Sequence, residues 1–341
     1  MELDNERIAT PERLSGDSEE TSLRPLRLND FIGQKDLKKQ VGIYIKAALG
    51  RNENLDHVLL YGPPGLGKTT LASIISNELG VGFKSTSAPA IERPGDLAAL
   101  LSSLNFREVL FIDEIHRLKP ILEEILYPAL EDYALDIIIG QGPGAKSIKI
   151  SLKPFTLIGA TTRAGLLSAP LRSRFGITQR IGFYKKNEIF DIVKRSSRIL
   201  NIKINDEGAR TIAERSRGTP RVANRILRRL RDIAEVEGEG HIDGALAAKG
   251  LEMLNLDELG LDNMDRRLVK TIISNYDGGP VGLDTIAVSL GEDRETIEDI
   301  YEPYLIQIGF LKRTPKGRVA TRHAFEHFGF SNKGVIEGEL F

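Results

Sequence analysis

The chain has 341 residues, 41% of them hydrophobic and 28% charged, with a net charge of −1 and no cysteine. That length allows two or three globular domains, and the missing thiols exclude disulfides, zinc ribbons and cysteine nucleophiles. With near-neutral charge, any nucleic-acid contact must rest on local patches.

Residues 1–22 are rich in Glu, Ser, Asp and Thr and read as a loosely packed arm, with no signal pattern and no apolar run long enough to span a membrane. A cytoplasmic chain is expected, and the absence of cysteine suits that reducing compartment. From Leu23 the character changes, with a Pro brake at Pro25, a cap signal at Asn29/Asp30 and the apolar pair Phe31-Ile32. That pair anchors the helix expected over Lys35 to Leu49 or forms an apolar platform for a base; position alone does not choose.

The run Val58-Leu-Leu-Tyr61 leads into Gly62-Pro-Pro-Gly65-Leu-Gly67-Lys68-Thr69, and a helix follows to about Leu79. This is the phosphate-loop pattern in the context it needs, a strand before and a helix after. Glycines let backbone N–H groups turn towards phosphate oxygens, Lys68 reaches the β- and γ-phosphates, and the Thr69 hydroxyl takes one Mg²⁺ position. The expected ligand is a nucleoside triphosphate with Mg²⁺.

About 45 residues later comes Val109-Leu-Phe-Ile-Asp-Glu-Ile-His116, an apolar run ending in two carboxylates. It reads as a buried parallel strand whose tip carries Asp113, holding Mg²⁺ through water, and Glu114, polarising the attacking water. A helix over Leu122 to Glu131 precedes two β-rich arms, Leu135 to Leu152, around a Gly/Pro turn at Gly140 to Gly144. Alternation of Ile148, Ile150 and Leu152 with Ser147, Lys149 and Ser151 predicts a hairpin with one apolar face, covered within the fold or, as we favour, offered to a partner. Phe155 to Thr162 is a further buried strand ending in hydroxyls, so Thr162 lies where it would contact the γ-phosphate or the water. Just beyond, Leu171-Arg172-Ser-Arg174-Phe-Gly176 puts two arginines beside an aromatic, a pattern that on its own more often marks surface, at a place where a neighbouring subunit's nucleotide would be reached.

Residues from about Glu188 to Leu256 read as wholly helical. Arg217-Gly-Thr-Pro-Arg221 caps a helix in which Arg225, Arg228, Arg229 and Arg231 alternate with Val222, Ile226, Leu227 and Leu230. We read those four arginines as the solvated side of a packing helix rather than a DNA face. Arg221, at the helix start, suits a phosphate sensor. From residue 257, three short helices and a hairpin turning at Thr314-Pro-Lys316-Gly317 form a winged-helix pattern. Its recognition helix is acidic (Glu295, Glu298, Asp299, Glu302), whereas the wing carries Lys312, Arg313, Lys316 and Arg318. The wing therefore meets DNA phosphates without reading sequence, or the domain serves a protein partner.

Together these motifs describe an α/β AAA+ P-loop ATPase, a parallel sheet with flanking helices, followed by a small helical lid and a winged helix. The domain boundaries expected are 1–22, 23–184, 185–256, 257–331 and a tail at 332–341. Beyond this class the chain closely resembles the RuvB family, the motors of bacterial Holliday-junction branch migration, from Leu23 to Gly329. Its specific stretches include Leu110-Phe-Ile-Asp-Glu-Ile-His-Arg117, Tyr127-Pro-Ala-Leu-Glu-Asp-Tyr133, Ile158-Gly-Ala-Thr-Thr-Arg163 and Gly309-Phe-Leu-Lys-Arg-Thr-Pro-Lys-Gly-Arg318.

The resemblance implies a homo-hexamer that hydrolyses ATP with Mg²⁺ to pull duplex DNA through a RuvA-bound four-way junction, with RuvC joining a resolvasome. It implies that Gly65 and Thr70 complete the phosphate loop, that Leu23, Arg24 and Tyr184 surround the adenine, and that Arg221 senses phosphate from the lid. It further implies that Arg174 is an arginine finger, that Glu131, Asp132 and Tyr133 line the nucleotide near the subunit boundary, that Arg313 and Arg318 contact DNA, and that the hairpin docks RuvA. Two rival classes are disfavoured. The zinc-bearing relatives of clamp loaders need cysteines, and protein remodellers generally carry an aromatic-hydrophobic-Gly pore loop that residues 81–104 lack.

Overall fold

The computed structural model describes residues 23–139 and 146–331, which divide into two compact units. The arm at 1–22, the tail at 332–341 and the hairpin turn expected at Gly140 to Gly144 lie outside the described residues.

One unit comprises residues 24–62 and 66–182. Its elements run α1 (Lys35–Arg51), β1 (Val58–Tyr61), α2 (Lys68–Leu79), β2 (Phe83–Ser87), α3 (Pro94–Ser102), β3 (Val109–Asp113) and α4 (Pro120–Glu131). There follow β4 (Ala134–Ile139), β5 (Lys146–Ser151), β6 (Thr156–Thr161), α5 (Ala169–Ser173) and β7 (Ile177–Arg180). Five strands form a parallel sheet in the order β2-β3-β6-β1-β7. The apolar strands β1, β3 and β6 are central, because a strand covered by helices on both faces has no polar side to show. That order sets the tip of β3 beside the tip of β6, as the reading of Asp113 and Thr162 required.

β4 and β5 pair antiparallel outside this sheet, with Leu135 opposite Ile150. Among the hairpin's described side chains the apolar residues are divided between core and surface. Leu135 and Leu152 are buried in the core with Leu126, Leu130 and Phe155, whereas Ile150 is 38% exposed. The side chain of Ile148 lies outside the described residues.

The other unit comprises Leu23, Pro63–Gly65 and residues 183–331. It holds α6 (Lys186–Ile199), β8 (Lys203–Ile204), α7 (Asp206–Arg215), α8 (Pro220–Glu237), β9 (His241–Ile242), α9 (Gly244–Met253), α10 (Asn263–Asn275) and α11 (Leu283–Leu290). The lid is not wholly helical, since β8 and β9 form a two-residue parallel pair. The expected solvated side of α8 also needs correction. Arg225 and Arg228 are buried at 4% and 7% exposure, while Arg229 and Arg231 pair with Asp232 at the surface.

The third winged-helix helix is composite: α12 (Arg294–Thr296), a π-helical turn (Ile297–Tyr301) and α13 (Glu302–Gln307). Pro303 explains the widened turn, because it has no amide hydrogen to offer the Asp299 carbonyl four residues back. β10 (Leu311–Thr314) and β11 (Gly317–Ala320) form the wing, extended by a bridge in which Val281 and Arg318 exchange backbone bonds of 2.9 and 2.8 Å. α14 (Arg322–His327) closes the domain.

Lid and winged helix are joined through Arg217. Its Nε donates to the Gly260 carbonyl at 2.7 Å, its Nη2 donates to Asp265 and lies 3.3 Å from Asp262, and its guanidinium sits 5.3 Å from the Tyr304 ring centre. All four side chains in this cluster are buried. Asp262 and Asp265 also close a capping box at the start of α10, so each carboxylate serves a helix end as well as the cation.

Candidate active site

The phosphate loop links β1 to α2 with Gly62, Gly65 and Gly67 at φ 144°, 75° and 99°. These values lie in the region that only glycine enters freely, and the Gly62 N–H donates to the Thr161 carbonyl at 3.2 Å. Lys68 is buried, and its Nζ donates to the Gly62 carbonyl at 2.8 Å, so the cation is folded onto the loop it serves. Thr69 and Thr70 occupy the first turn of α2, half-buried.

At the end of β3, Asp113 accepts the Glu114 N–H at 3.0 Å. Glu114 adopts φ 48°, a left-handed conformation that costs a non-glycine residue about 1–2 kcal/mol. Such strain gathers at functional sites. The Glu114 carboxylate accepts from the Thr162 N–H at 3.4 Å and the Thr162 hydroxyl at 3.3 Å. Burial pushes its pKa up, Lys68 pulls it back, and Asp113 adds to the rise. A carboxylate held this way is a stronger base than one in water. His116 joins this group: its Nδ1 lies 3.2 Å from Glu114 Oε2 and 2.8 Å from the Thr161 hydroxyl, which accepts the Arg163 N–H at 2.9 Å. The sequence reading gave His116 and Thr161 no role, and the one available signal was a histidine two residues past the acidic pair.

The donor set fits Mg²⁺. Among the described residues no three carboxylate or imidazole groups converge into a cage. One hydroxyl (Thr69) and one carboxylate (Asp113) leave the remaining positions to phosphate oxygens and water, as this ion favours.

Arg174 follows the last residue of α5 and keeps other company. Its Nη1 donates to the Pro170 carbonyl at 2.6 Å, its Nη2 lies 3.0 Å from Glu131, and its guanidinium stacks 4.4 Å from the Tyr127 ring centre. Glu131 is thus brought to Arg174, while its two neighbours go elsewhere. Asp132 pairs with Lys149 of the hairpin at 3.3 Å. Tyr133 packs edge-on to Phe155 and His57, and its hydroxyl accepts from Asn54 at 2.7 Å.

In the other unit, Leu23 is buried and its carbonyl accepts from Arg195 at 2.6 Å. Tyr184 is buried, its hydroxyl pKa driven up by burial and then by Glu188, and its N–H donates to the Gly218 carbonyl at 2.9 Å. Arg221, in the first turn of α8, donates its backbone N–H to the Gly65 carbonyl at 3.4 Å. Arg24, of the first unit, is half-buried.

On the wing, Lys312 and Lys316 are exposed. Arg313 donates to Glu302 at 2.6 Å, and Arg318 grips the same carboxylate with bonds of 2.7 and 3.1 Å. Glu298 lies 3.5 Å from both arginines. The acidic helix was expected simply to repel phosphate; instead, Glu298 and Glu302 are spent on the wing's own arginines.

Three family models match consecutive stretches of the chain: the Holliday junction DNA helicase RuvB P-loop domain over residues 23–181, the RuvB AAA lid domain over 184–257 and the RuvB C-terminal winged helix domain over 258–329. Among solved structures, the Thermotoga maritima RuvB Holliday junction branch migration motor is similar with a TM-score of 0.84 at 49% identity, covering 91% of this chain and 99% of that one. A mutant of the Thermotoga maritima RuvB gives 0.84 at 50% identity, covering 90% and 99%.

Proposed function

The chain belongs to the RuvB family of Holliday-junction branch-migration motors, and from that premise we propose that it is one subunit of a homo-hexamer that hydrolyses ATP to pull duplex DNA through a junction held by RuvA. The observation that carries this reading is the gathering of Asp113, Glu114 and Thr162 at the ends of the adjacent strands β3 and β6, with Lys68 at the start of α2 acting on the Glu114 carboxylate and Arg174 partnered elsewhere in its own subunit. On this reading a cation from a neighbouring subunit would complete the hydrolytic centre.

In this mechanism Lys68 leaves the Gly62 carbonyl for the phosphates, while Thr69, and Asp113 through water, would hold Mg²⁺. Bound Mg²⁺ neutralises phosphate charge and helps the leaving oxygen depart. Glu114 takes the proton of the attacking water, with Thr162 fixing the carboxylate and, through its hydroxyl, orienting that water. Arg174 of one subunit stabilises charge developing at the site of the next, and Arg221 adds a cation from the lid. Leu23, Arg24 and Tyr184 hold the adenine.

RuvA docks on the β4–β5 hairpin, whose base is rooted in the core by Leu135 and Leu152 while Ile150 faces outward. The wing follows duplex phosphates through Lys316, Arg313 and Arg318, and RuvC acts with the assembly in recombination and repair. Among the described residues no helix is long and apolar enough to cross a membrane, and we place the motor in the cytoplasm with the chromosome.

The test is dissociation of a synthetic four-way junction by the wild type and Glu114→Gln, with and without RuvA. Wild type is expected to need both ATP and RuvA. The variant should bind ATP yet hydrolyse it about 10²–10⁴-fold more slowly, the usual contribution of a positioned general base. Junctions that stay intact with wild type, ATP and RuvA together would refute the branch-migration reading.

A further inference from the structure

We propose that Tyr127 is a positioning residue for Arg174: its ring is the seat that holds the guanidinium while its edge exchanges Glu131 for the phosphate of the neighbouring subunit. This rests on the reading of Arg174 as a cation supplied in trans.

The division of contacts around the guanidinium carries the inference. One edge nitrogen, Nη1, is fastened to the Pro170 carbonyl of its own helix. Nη2 is held by Glu131, a largely exposed carboxylate that a phosphate would replace, and Nε is buried with no hydrogen-bond partner. Among the described residues it is Tyr127 that takes the face, at 4.4 Å. A ring under the face attracts the cation without consuming any N–H donor, so it holds the arginine both before and after the exchange.

Tyr127 is itself held. Its hydroxyl lies 3.3 Å from the buried Glu123 carboxylate and 3.2 Å from the Ser168 hydroxyl. Ser168 donates to Glu123 at 2.5 Å and caps α5 by accepting the Leu171 N–H at 3.3 Å. The start of α5 and the guanidinium just past its end therefore share one support. Glu123 and Tyr127 lie one turn apart on α4 and Glu131 one turn further, so a single helix face presents the support, the seat and the anion to be displaced.

The test measures DNA-stimulated ATPase of the full chain with RuvA present, for Tyr127→Leu, Tyr127→Phe and Arg174→Ala, each alone and mixed with Glu114→Gln subunits. Tyr127→Leu is expected to lower kcat about tenfold with KM for ATP within about twofold, and Tyr127→Phe, which keeps the ring, to stay within about threefold of wild type. Glu114→Gln subunits carry a sound Arg174 and a dead site, so mixing them in should raise the turnover of both Tyr127→Leu and Arg174→Ala. Tyr127→Leu with unchanged kcat, or with a loss that mixing does not relieve while Arg174→Ala is relieved, overturns the positioning role alone. Failure of Arg174→Ala to recover overturns the trans reading and the seat with it.

Discussion

Arg217→Met leaves the buried carboxylates of Asp262 and Asp265 without their cation, together with an unpaired Gly260 carbonyl. Asp265 is fully buried, so the charge left behind has no water to turn to. Breaking a buried pair in this way costs about 3–5 kcal/mol. For a unit of this size that is a fall in melting temperature of roughly 6–20 °C. The loss should also depend on pH. Burial already pushes the Asp265 carboxyl well above its ordinary 3.8, with Arg217 opposing the rise. Without Arg217 the carboxyl climbs further. A raised folded-state value means that the unfolded chain sheds its proton first, so the variant's stability falls as pH rises from about 3.8 towards that raised value. Thermal and urea unfolding should therefore show a smaller deficit at pH 5 than at pH 8. Arg217→Met/Asp265→Asn should regain much of the loss at pH 8. A deficit that ignores pH, or a double variant no better than the single, would refute the view that uncompensated charge sets the cost.

His57 is expected to make the P-loop unit acid-sensitive. Its Nδ1 accepts the Leu157 N–H at 2.9 Å and its Nε2 donates to the Leu130 carbonyl at 3.0 Å, while burial holds its pKa below the ordinary 6.5. The stability that neutral His57 contributes is complete above about 6.5 and lost as pH falls towards the lowered value, so His57→Gln should melt lower yet show a shallower decline between pH 7 and 5. On the wing, Arg318→Ala should cost about 1–3 kcal/mol by stripping a partner from Glu302, which is 1% exposed. Arg318→Ala/Glu302→Gln should restore the melting temperature while duplex affinity stays weak; recovery of both would show that Arg318 acts only in folding.

The geometry of the candidate nucleotide centre was legible because each part announces itself locally. A phosphate loop needs glycines at fixed spacing, and central strands of a covered sheet must be apolar until the residue that does chemistry. β2 was not legible: it reads Phe83-Lys-Ser-Thr-Ser87, an edge strand without an apolar run or clean alternation. The buried arginines of α8 were misread because the sequence shows their charge and not their neighbours. Glu302 was misread for the same reason in reverse. Its partners lie 11 and 16 residues on, across the turn of the wing, and only folding brings them within reach. Tyr127 fell inside a recognised stretch, but nothing about a tyrosine on a helix foretells an arginine folded back over its ring.

On the proposed contact between wing and duplex, the Glu302 clasp also bears on how ionic strength acts. A basic side chain that meets a phosphate normally releases a condensed counterion, which steepens the decline of affinity with salt by about 0.9 in logarithmic slope per phosphate neutralised on duplex DNA. If Arg318 turns to a phosphate as proposed, that ion is still released, but the Glu302 carboxylate, 1% exposed, is left needing another cation, and added salt weakens the internal bond along with the external one. On the proposed wing contact, the clasped arginines should therefore count for less in a salt titration than their number suggests.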